Sequence, residues 1–365
     1  MAERILVRAP NWAGDVVMAT PGLRALRAGR PDAHVTVHVK ASLAPLLHGA
    51  PWIDELLPLA SGGRGAAALV REGLSLRARR FDLGVCLPDS FSSALLMRCA
   101  GVRRIVGYAT QGRRLLLHDA VPRPAGPLPR EQHVLGLVAA IGCPERGRSL
   151  ELFVTDAEEQ AARDALAAAG VGADEPLALL APGASFGPSK LWPAERFAAV
   201  GDALAAAGAR VAVIGAPDEA PLAARVAGAM RAPATVLAGR LDLGASKAVV
   251  RRARVLVCND AGARHVAVAF GVPVLALFGP TSLARTSWNL ERVQAFAADV
   301  PCRPCYRRTC PIDHRCMTRI AAEAVAAAAV AAFRDPAGFR GDAERALARE
   351  PLVPVAPVRR RSAPA

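Results

Sequence analysis

The chain has 365 residues, more than one hydrophobic core usually supports, so two domains are expected. Hydrophobic residues make up 52% of the chain and aromatic residues only 4%, which suits parallel strands covered by Ala-rich helices. The net charge of +14 favours anionic partners, although the Arg and Ala enrichment of a GC-rich genome explains the same surplus. Because the basic residues are scattered and no aromatic platform accompanies them, we expect no nucleic-acid partner.

The N-terminal residues run directly into a strand-like segment at residues 4–8, without the three regions of a signal peptide. No window of about 18 residues is apolar throughout, and the nearest, residues 320–333, contains Glu323. We therefore expect a cytoplasmic protein that touches the inner membrane only peripherally. The eight cysteines would be reduced there, which argues against a disulfide framework.

Strand-like apolar runs alternate with helix-length segments along the whole chain. This alternation predicts an α/β protein with two tandem Rossmann-like domains, each a doubly wound parallel sheet. The predicted strands of the first series are residues 5–7, 34–39, 82–87 and 104–106, and those of the second are residues 177–180, 210–214, 234–237, 255–258 and 272–278.

A helix with Thr155 or Asp156 as its N-terminal cap is predicted to end at Gly170, and the hinge is expected within residues 147–176. We assign residues 1–160 to an N-terminal domain and residues 161–334 to a C-terminal domain. Residues 335–365 are rich in Pro and Ala and lose periodicity, so a partly disordered tail is expected there.

The loop at residues 9–15 follows the first strand and precedes an apolar helix, which places Asp15 at the carboxyl edge of a parallel sheet. The loop lacks the Gly-x-Gly-x-x-Gly pattern, which argues against a dinucleotide site. From its position alone, Asp15 is either a functional carboxylate or a helix cap.

Two further loops of the second series combine small residues with charges. The loop at residues 181–193 carries Ser185 and Lys190 before a Pro-started helix, an arrangement suited to anions, although a solvated lysine is an equal alternative. The loop at residues 258–265 carries Asp260, Gly262 and His265 at another helix start; a buried core histidine is the alternative for His265.

Five groups of residues, in these loops and beyond them, form a distinctive set. They are Asn11-Trp12 with Gly14-Asp15, Pro88-Asp89-Ser90-Phe91 with Ser93-Ala94-Leu95, Ser189-Lys190-Leu191-Trp192-Pro193, Asn259-Asp260 with Gly262 and His265, and Phe278-Gly279-Pro280-Thr281. Together they resemble the heptosyltransferases of glycosyltransferase family nine over roughly residues 4–334. Within the family, the cysteine-containing run at residues 302–317 is more similar to the second heptosyltransferase of lipopolysaccharide core assembly than to the first.

The resemblance implies a GT-B glycosyltransferase whose two domains face each other across a cleft, with the acceptor on the N-terminal domain and the nucleotide sugar on the C-terminal domain. It implies inverting transfer of heptose from ADP-L-glycero-β-D-manno-heptose to heptosylated Kdo-lipid A in lipopolysaccharide biosynthesis. Asp15 would be the catalytic base. No cofactor is implied, and no Asp-x-Asp motif suggests a divalent metal. The residues implied to surround the donor are Ser185, Lys190, Asp260, Gly262 and His265.

The sequence departs from the family pattern at Ala261, where the family usually carries Ser or Thr. The missing hydroxyl contact to the donor pyrophosphate would weaken binding by about 1 kcal/mol. Arg264 is also atypical, and we expect it to restore some anion affinity.

Four cysteines cluster near the C-terminal end of the second domain. Cys302, Cys305, Cys310 and Cys316 supply enough thiolates for a structural zinc ion, but their spacing is irregular for a zinc ribbon. A folded loop of reduced cysteines, or a fortuitous redox-sensitive pair, is the alternative, and no catalytic role is assigned to any of these interpretations.

Other function classes remain open from the sequence alone. They are a non-catalytic nucleotide-sugar or glycan-binding protein on the same scaffold, a paralogue with another acceptor, a nicotinamide-dependent oxidoreductase and a nucleic-acid binder. Basic residues flanking residues 88–95 are predicted to face the anionic membrane or the acceptor, with a solvated helical face as the alternative. They are Arg71, Arg77, Arg79, Arg80, Arg103, Arg104, Arg113 and Arg114.

Overall fold

The computed structural model describes residues 2–59, 65–126 and 128–348, and these residues form two six-stranded parallel sheets covered by helices. The first half contains β1 (Arg4–Arg8), α1 (Ala13–Met18), α2 (Thr20–Gly29), β2 (His34–Lys40), β3 (Glu55–Leu59), α3 (Ala66–Ser75), β4 (Leu83–Cys86), α4 (Phe91–Cys99), β5 (Arg104–Tyr108), β6 (Asp119–Val121) and α5 (Arg130–Ala139). The rest contains α6 (Asp156–Ala168), β7 (Leu177–Ala181), α7 (Ala194–Ala206), β8 (Arg210–Val213), α8 (Ala220–Ala229), β9 (Thr235–Val236), α9 (Leu243–Arg252), β10 (Val255–Asn259), α10 (Gly262–Ala269), β11 (Val274–Phe278), β12 (Val293–Ala297), α11 (Arg315–Thr318), α12 (Ala322–Arg334) and α13 (Ala343–Ala348).

The predicted α/β class is confirmed, and each predicted strand is present to within two residues at either end. The central strands β7, β10 and β11 are buried along their whole length, as parallel strands covered on both faces must be. Three edge strands, β3, β6 and β12, were not predicted. Edge strands pair on one side only and stay half-exposed, so they lack a continuous apolar run; β3 even contains Pro58.

Both sheets have the same topology. The strand order is β3-β2-β1-β4-β5-β6 in the first sheet and β12-β11-β10-β7-β8-β9 in the second. In each sheet the chain direction across the sheet reverses between two central strands, β1 and β4 or β7 and β10, which pair in parallel. A crevice opens at the carboxyl ends of such a pair, because the loops leaving the two strands turn to opposite faces. The loops singled out from the sequence after β1, β7 and β10 all lie at these crevices.

Helix α6 connects the two sheets. Thr155 caps it, since its hydroxyl accepts a hydrogen bond from the Glu158 N–H at 3.3 Å while the Glu158 carboxylate accepts one from the Thr155 N–H at 3.0 Å. The helix packs against α9 of the second sheet. The boundary predicted at residues 160 and 161 falls inside this helix, so the division of the chain into two domains at that point stays a prediction.

Glu158 is also the centre of a buried polar cluster that joins both halves. The ammonium of Lys247, on α9, lies 3.0 Å from the Glu158 carboxylate and donates to the Pro45 carbonyl of the first half. His48 lies 3.0 Å from the other oxygen of Glu158. Since the Lys247 side chain has no exposed surface, its charge depends on these partners.

The predicted tail is corrected over its first part. Residues 335–348 are folded against β12: the N–H of Gly341 donates to the Glu291 carbonyl at 2.9 Å, and Ala343 on α13 is fully buried. The Ala-rich composition, taken as a sign of disorder, instead lets a short helix pack closely. Residues 349–365 lie outside the described residues. None of the described helices is long and apolar enough to cross a membrane.

Replacing Lys247 with Met should lower the free energy of unfolding by about 3–5 kcal/mol, because Glu158 would remain buried without its main counter-charge. Urea denaturation followed by circular dichroism measures this loss. Arg251→Met is the matched control, since the exposed pair of Arg251 with Glu159 joins the same two helices and should contribute below about 1 kcal/mol. Equal losses in the two variants would contradict the importance of the buried cluster.

Candidate active site between the two sheets

A cavity of about 460 Å³ lies where the carboxyl ends of the two sheets face each other. Both halves of the chain line it, the first through the loop after β1 and the start of α5, and the second through the loops after β7, β10 and β11. All six residues singled out from the sequence are in its wall: Asp15, Ser185, Lys190, Asp260, Gly262 and His265. The structure therefore brings them together, while their roles stay predictions.

Asp15 does not cap its helix. The N-terminal cap of α1 is Trp12, which makes no side-chain cap, and the Asp15 carboxylate instead faces Arg130 on α5. The Arg130 guanidinium donates to both carboxylate oxygens, at 3.3 and 3.4 Å. Arg8, buried at the end of β1, fixes the loop before α1 by donating to the Asn11 side chain at 2.6 Å. Asp15 is thus an oriented carboxylate paired with a cation.

A second carboxylate, Asp89, lies in the wall on the loop after β4. His133 of α5 lies 3.2 Å from it and Arg113 lies 3.6 Å away. Burial alone would raise the pKa of Asp89, but the hydrogen bond and charge of His133, together with the charges of Arg130 and Arg113, hold that pKa below its usual range. Asp89 is therefore ionised at neutral pH.

In the second half, Asn259 joins the two loops of the crevice. Fully buried at the end of β10, it donates from its amide to the Pro182 carbonyl at 2.6 Å and accepts from the Trp192 N–H at 3.3 Å. Both partners lie on the segment that follows β7. A single side chain thus fixes the spacing between the Lys190 loop and the start of α10.

Asp260 is the most strongly paired carboxylate of the cavity. The Lys190 ammonium donates to one of its oxygens at 2.6 Å and to its backbone carbonyl at 2.7 Å, and the Thr281 hydroxyl donates at 2.8 Å. Arg264 lies 3.5 Å from the other oxygen. Burial would raise the pKa of Asp260, but the charges of Lys190 and Arg264 and the hydrogen bonds hold that pKa far below its usual range. Lys190 is therefore paired with a carboxylate, and is not a solvated loop lysine.

His265 is buried and neutral. Burial lowers the pKa of its imidazole well below the usual value, and the neighbouring charges of Arg264 and Lys190 lower it further despite the opposing effect of Asp260. The Arg264 guanidinium lies 3.1 Å from Nε2 and donates to it, which leaves the proton of the neutral ring on Nδ1. His265 is buried, as the core-histidine alternative predicts, and its ring also forms part of the cavity wall.

The two halves touch through glycines at this point. A side-chain carbon added to Gly262 would lie 3.1 Å from Ala13, and one added to Gly14 would lie 3.0 Å from the His265 ring. Because neither residue carries a side chain, α1 and α10 can start side by side. Asp15 is thereby brought to the start of α10, where Ala261 makes no side-chain cap.

Comparison with known proteins identifies the family to which the chain belongs. The sequence pattern of glycosyltransferase family 9 (heptosyltransferase) matches residues 69–315. The chain belongs to glycosyltransferase family 9. It is 31% identical over 294 residues to lipopolysaccharide heptosyltransferase 2 of Salmonella typhimurium, covering 76% of this chain and 83% of the relative. It is 26% identical over 299 residues to lipopolysaccharide heptosyltransferase 3 of Escherichia coli, covering 78% and 86%.

The fold of this family 9 glycosyltransferase is that of a solved relative. The structure of the E. coli ADP-heptose lps heptosyltransferase II superposes with a TM-score of 0.76 at 26% identity, covering 91% of this chain and 99% of that one. The predicted GT-B architecture, with two Rossmann-like sheets facing across a cleft, is confirmed.

Several wall residues of the glycosyltransferase were not singled out from the sequence. The charged run Arg130-Glu131-Gln132-His133 follows a Pro-rich stretch after the last strand of the first sheet, and that position at a sheet's carboxyl edge was the available signal. Arg123, Arg285, Phe186 and Tyr306 also line the cavity, and no local pattern distinguishes them.

Arg264 does not line the cavity, and the anion affinity expected of it stays a prediction. Its side chain is almost fully buried, with its guanidinium 5.3 Å from the centre of the Phe278 ring, and it forms no part of the cavity wall. It acts on the cavity indirectly, through Asp260 and His265.

The four clustered cysteines do not form a metal site. Among the described residues, no three of the His, Cys, Asp and Glu side chains are placed to hold a metal ion. Cys316 is buried while Cys305 is exposed, so the thiols lie at different depths. The loop that carries them instead supports the Lys190 loop through backbone atoms: the Ser189 N–H donates to the Arg308 carbonyl at 3.1 Å.

The basic residues predicted to face a membrane are dispersed. Residues 77–80 precede β4, Arg103 precedes β5 and Arg104 is the first residue of β5, so they lie at the amino edge of the sheet, opposite the cavity. Three of them pair with acids: Arg79 with Glu55, Arg103 with Asp82 and Arg104 with Asp119. Arg113 is fully buried, with its guanidinium bonded to carbonyls of the loop after β4. Arg114, next to Arg113 in the chain, is exposed.

Proposed function

We propose that the protein is an inverting, metal-independent heptosyltransferase. It transfers heptose from ADP-L-glycero-β-D-manno-heptose to the heptosylated Kdo-lipid A inner core during lipopolysaccharide biosynthesis. The observation that carries the proposal is the cavity itself, in which a paired carboxylate of the first half, Asp15, faces a cation and a helix start of the second half. The relatives named lipopolysaccharide heptosyltransferase 2 support the choice of substrates.

Asp15 acts as the general base in the proposed reaction. The acceptor hydroxyl oxygen attacks the anomeric carbon of the donor, the bond from that carbon to the diphosphate oxygen breaks, and the hydroxyl proton passes to Asp15. Arg130 keeps the carboxylate oriented before the transfer. Attack on the face opposite the leaving group inverts the configuration at the anomeric carbon.

The negative charge of the departing ADP is neutralised by protein groups alone. Lys190 supplies a positive charge, and the uncapped start of α10 supplies backbone N–H groups and the positive end of a helix dipole. Lys190 is bonded to Asp260, so the diphosphate must share it with that carboxylate. Arg285 and Arg123 add further positive charge to the wall.

The acceptor is the least constrained part of the proposal. Relatives of both names match most of the chain: lipopolysaccharide heptosyltransferase 2 of Salmonella typhimurium is 31% identical, and lipopolysaccharide heptosyltransferase 3 of Escherichia coli is 26% identical. Incubating the protein with ADP-heptose and either a mono-heptosylated or a di-heptosylated core, and weighing the products, separates the two. Addition to the mono-heptosylated core is expected, and ADP binding without any transfer would favour the non-catalytic alternative.

Replacing Asp15 with Asn should lower turnover by about 10²-fold or more, because the general base is lost while its shape is kept. A coupled assay of ADP release measures turnover, and calorimetry with ADP should show affinity close to that of the wild type. Asp32→Asn, the same change at an exposed position, is the control and should retain full turnover. Undiminished turnover in the Asp15 variant would show that Asp15 is not the general base.

Replacing Lys190 with Met should weaken ADP binding about 10-fold or more, the effect expected when a charged hydrogen bond is lost. Calorimetry at constant salt measures the affinity. Lys40→Met removes the same charge from an exposed site and should bind ADP like the wild type. If the two variants bind ADP equally well, the diphosphate does not contact Lys190.

We further propose that the protein meets the anionic membrane through the rim formed by Phe91, Arg114 and Leu115. Leu115 is 89% exposed and Phe91 is 44% exposed, so both apolar side chains are accessible to a membrane surface. Buried Arg113 ties the turn that carries Leu115 to the loop before Phe91, and Asp89 of that loop lines the cavity. The rim therefore lies beside the acceptor side of the cavity.

The double variant Arg114→Glu with Leu115→Ser should reduce sedimentation with phosphatidylglycerol vesicles at low salt about fivefold or more. Arg77→Glu with Leu74→Ser makes the same changes at an exposed site on the opposite edge and should sediment like the wild type. Equal sedimentation of the two double variants, or none by the wild type, would rule out this rim.

A further inference from the structure

Glu131 is a buried acid at the contact between the two halves. It lies in the first turn of α5 with 1% of its surface exposed. One carboxylate oxygen accepts a hydrogen bond from the Asn289 side chain of the second half at 3.5 Å, and Asn289 also donates to the Arg148 carbonyl at 3.1 Å. The other oxygen, Oε2, is buried and has no hydrogen-bond partner among the described residues.

Charged groups face Glu131 from both halves. Arg264 approaches from α10 and Asp15 from α1, while Arg130 on its own helix is bonded to Asp15. Burial raises the pKa of Glu131 to about 7; its own backbone N–H, the charge of Arg264 and the Asn289 hydrogen bond oppose this rise, and the negative charge of Asp15 adds to it. The acid therefore changes charge near neutral pH.

The ionised form is poorly supported at this position. It would leave a buried charged oxygen without a donor and would place a second negative charge near Asp15. The neutral form avoids both costs. Two carboxyl groups in one site commonly divide their roles in this way, one neutral and one ionised.

We propose that Glu131 is a positioning residue that works as a neutral acid, closing the contact between the halves while Asp15 stays the ionised base. This inference rests on the proposed function only in assigning the base to Asp15.

The sign of the pH dependence follows from the direction of the shift. A carboxyl group whose pKa is raised from 4.5 to about 7 by burial favours the buried arrangement fully below the lower value, and this contribution is lost as the pH rises through the higher one. A Gln at this position imitates the neutral acid at every pH. The turnover of Glu131→Gln, relative to that of the wild type, should therefore rise as the pH rises.

The test compares ADP release by the full-length wild type and Glu131→Gln protein, with ADP-heptose and mono-heptosylated core, at pH 6 and pH 8. The ratio of variant to wild-type turnover should rise about tenfold between the two, since about nine-tenths of Glu131 is protonated at pH 6 and only about one-tenth at pH 8. Glu159→Gln, the same change at a site remote from the cavity, should give a ratio independent of pH. If Glu131 had a purely structural role, its replacement by Gln would change turnover by the same factor at both pH values.

A second measurement does not depend on activity. In protein labelled with ¹³C at the glutamate side-chain carboxyl, the resonance that disappears in Glu131→Gln should titrate near pH 7. A flat turnover ratio, or a titration near the ordinary glutamate value, would overturn the inference. Absence of ADP release from the wild type would instead reject the proposed function, and the titration would still decide the state of Glu131.

Discussion

The cavity depends on keeping one buried carboxylate ionised. Asp260 has little contact with solvent, and an unpaired charge at such a depth would destabilise the fold by several kcal/mol. The chain meets this requirement with groups from three separate segments: Lys190 after β7, Arg264 on α10 and Thr281 after β11. The same pairing that stabilises Asp260 therefore fixes the three loops of the second half that form the cavity wall.

This pairing also sets what an incoming anion encounters. Lys190 is not a free charge waiting for a ligand, because it already bonds to Asp260 through two contacts. A diphosphate is anionic and can compete with the Asp260 carboxylate for the Lys190 ammonium, whereas a neutral ligand cannot. Affinity is thereby reduced and discrimination in favour of polyanions is increased.

The fold and most of the cavity could be predicted from the sequence because both depend on local patterns. Buried parallel strands have continuous apolar runs, and the loops after β1, β7 and β10 carry small and charged residues at fixed places in the topology. The edge strand β3 and the buried acid Glu131 could not be predicted in this way. The surroundings of Glu131 include Asn289, which is far along the chain and is brought close by the packing of the halves. Likewise, arginine is usually a surface residue, so the sequence gives no sign that Arg113 is buried with its guanidinium bonded to loop carbonyls.

The protonation of His265 has a consequence for how the enzyme responds to acidification. With its pKa well below the usual histidine range, this ring acquires no charge when the surrounding pH falls modestly. The carboxylates Asp260 and Asp89 also hold low pKa values, so they keep their charge over the same range. The electrostatic potential that these three groups contribute to the cavity is therefore insulated from physiological changes in proton concentration, and Glu131 is left as the sensitive group beside them.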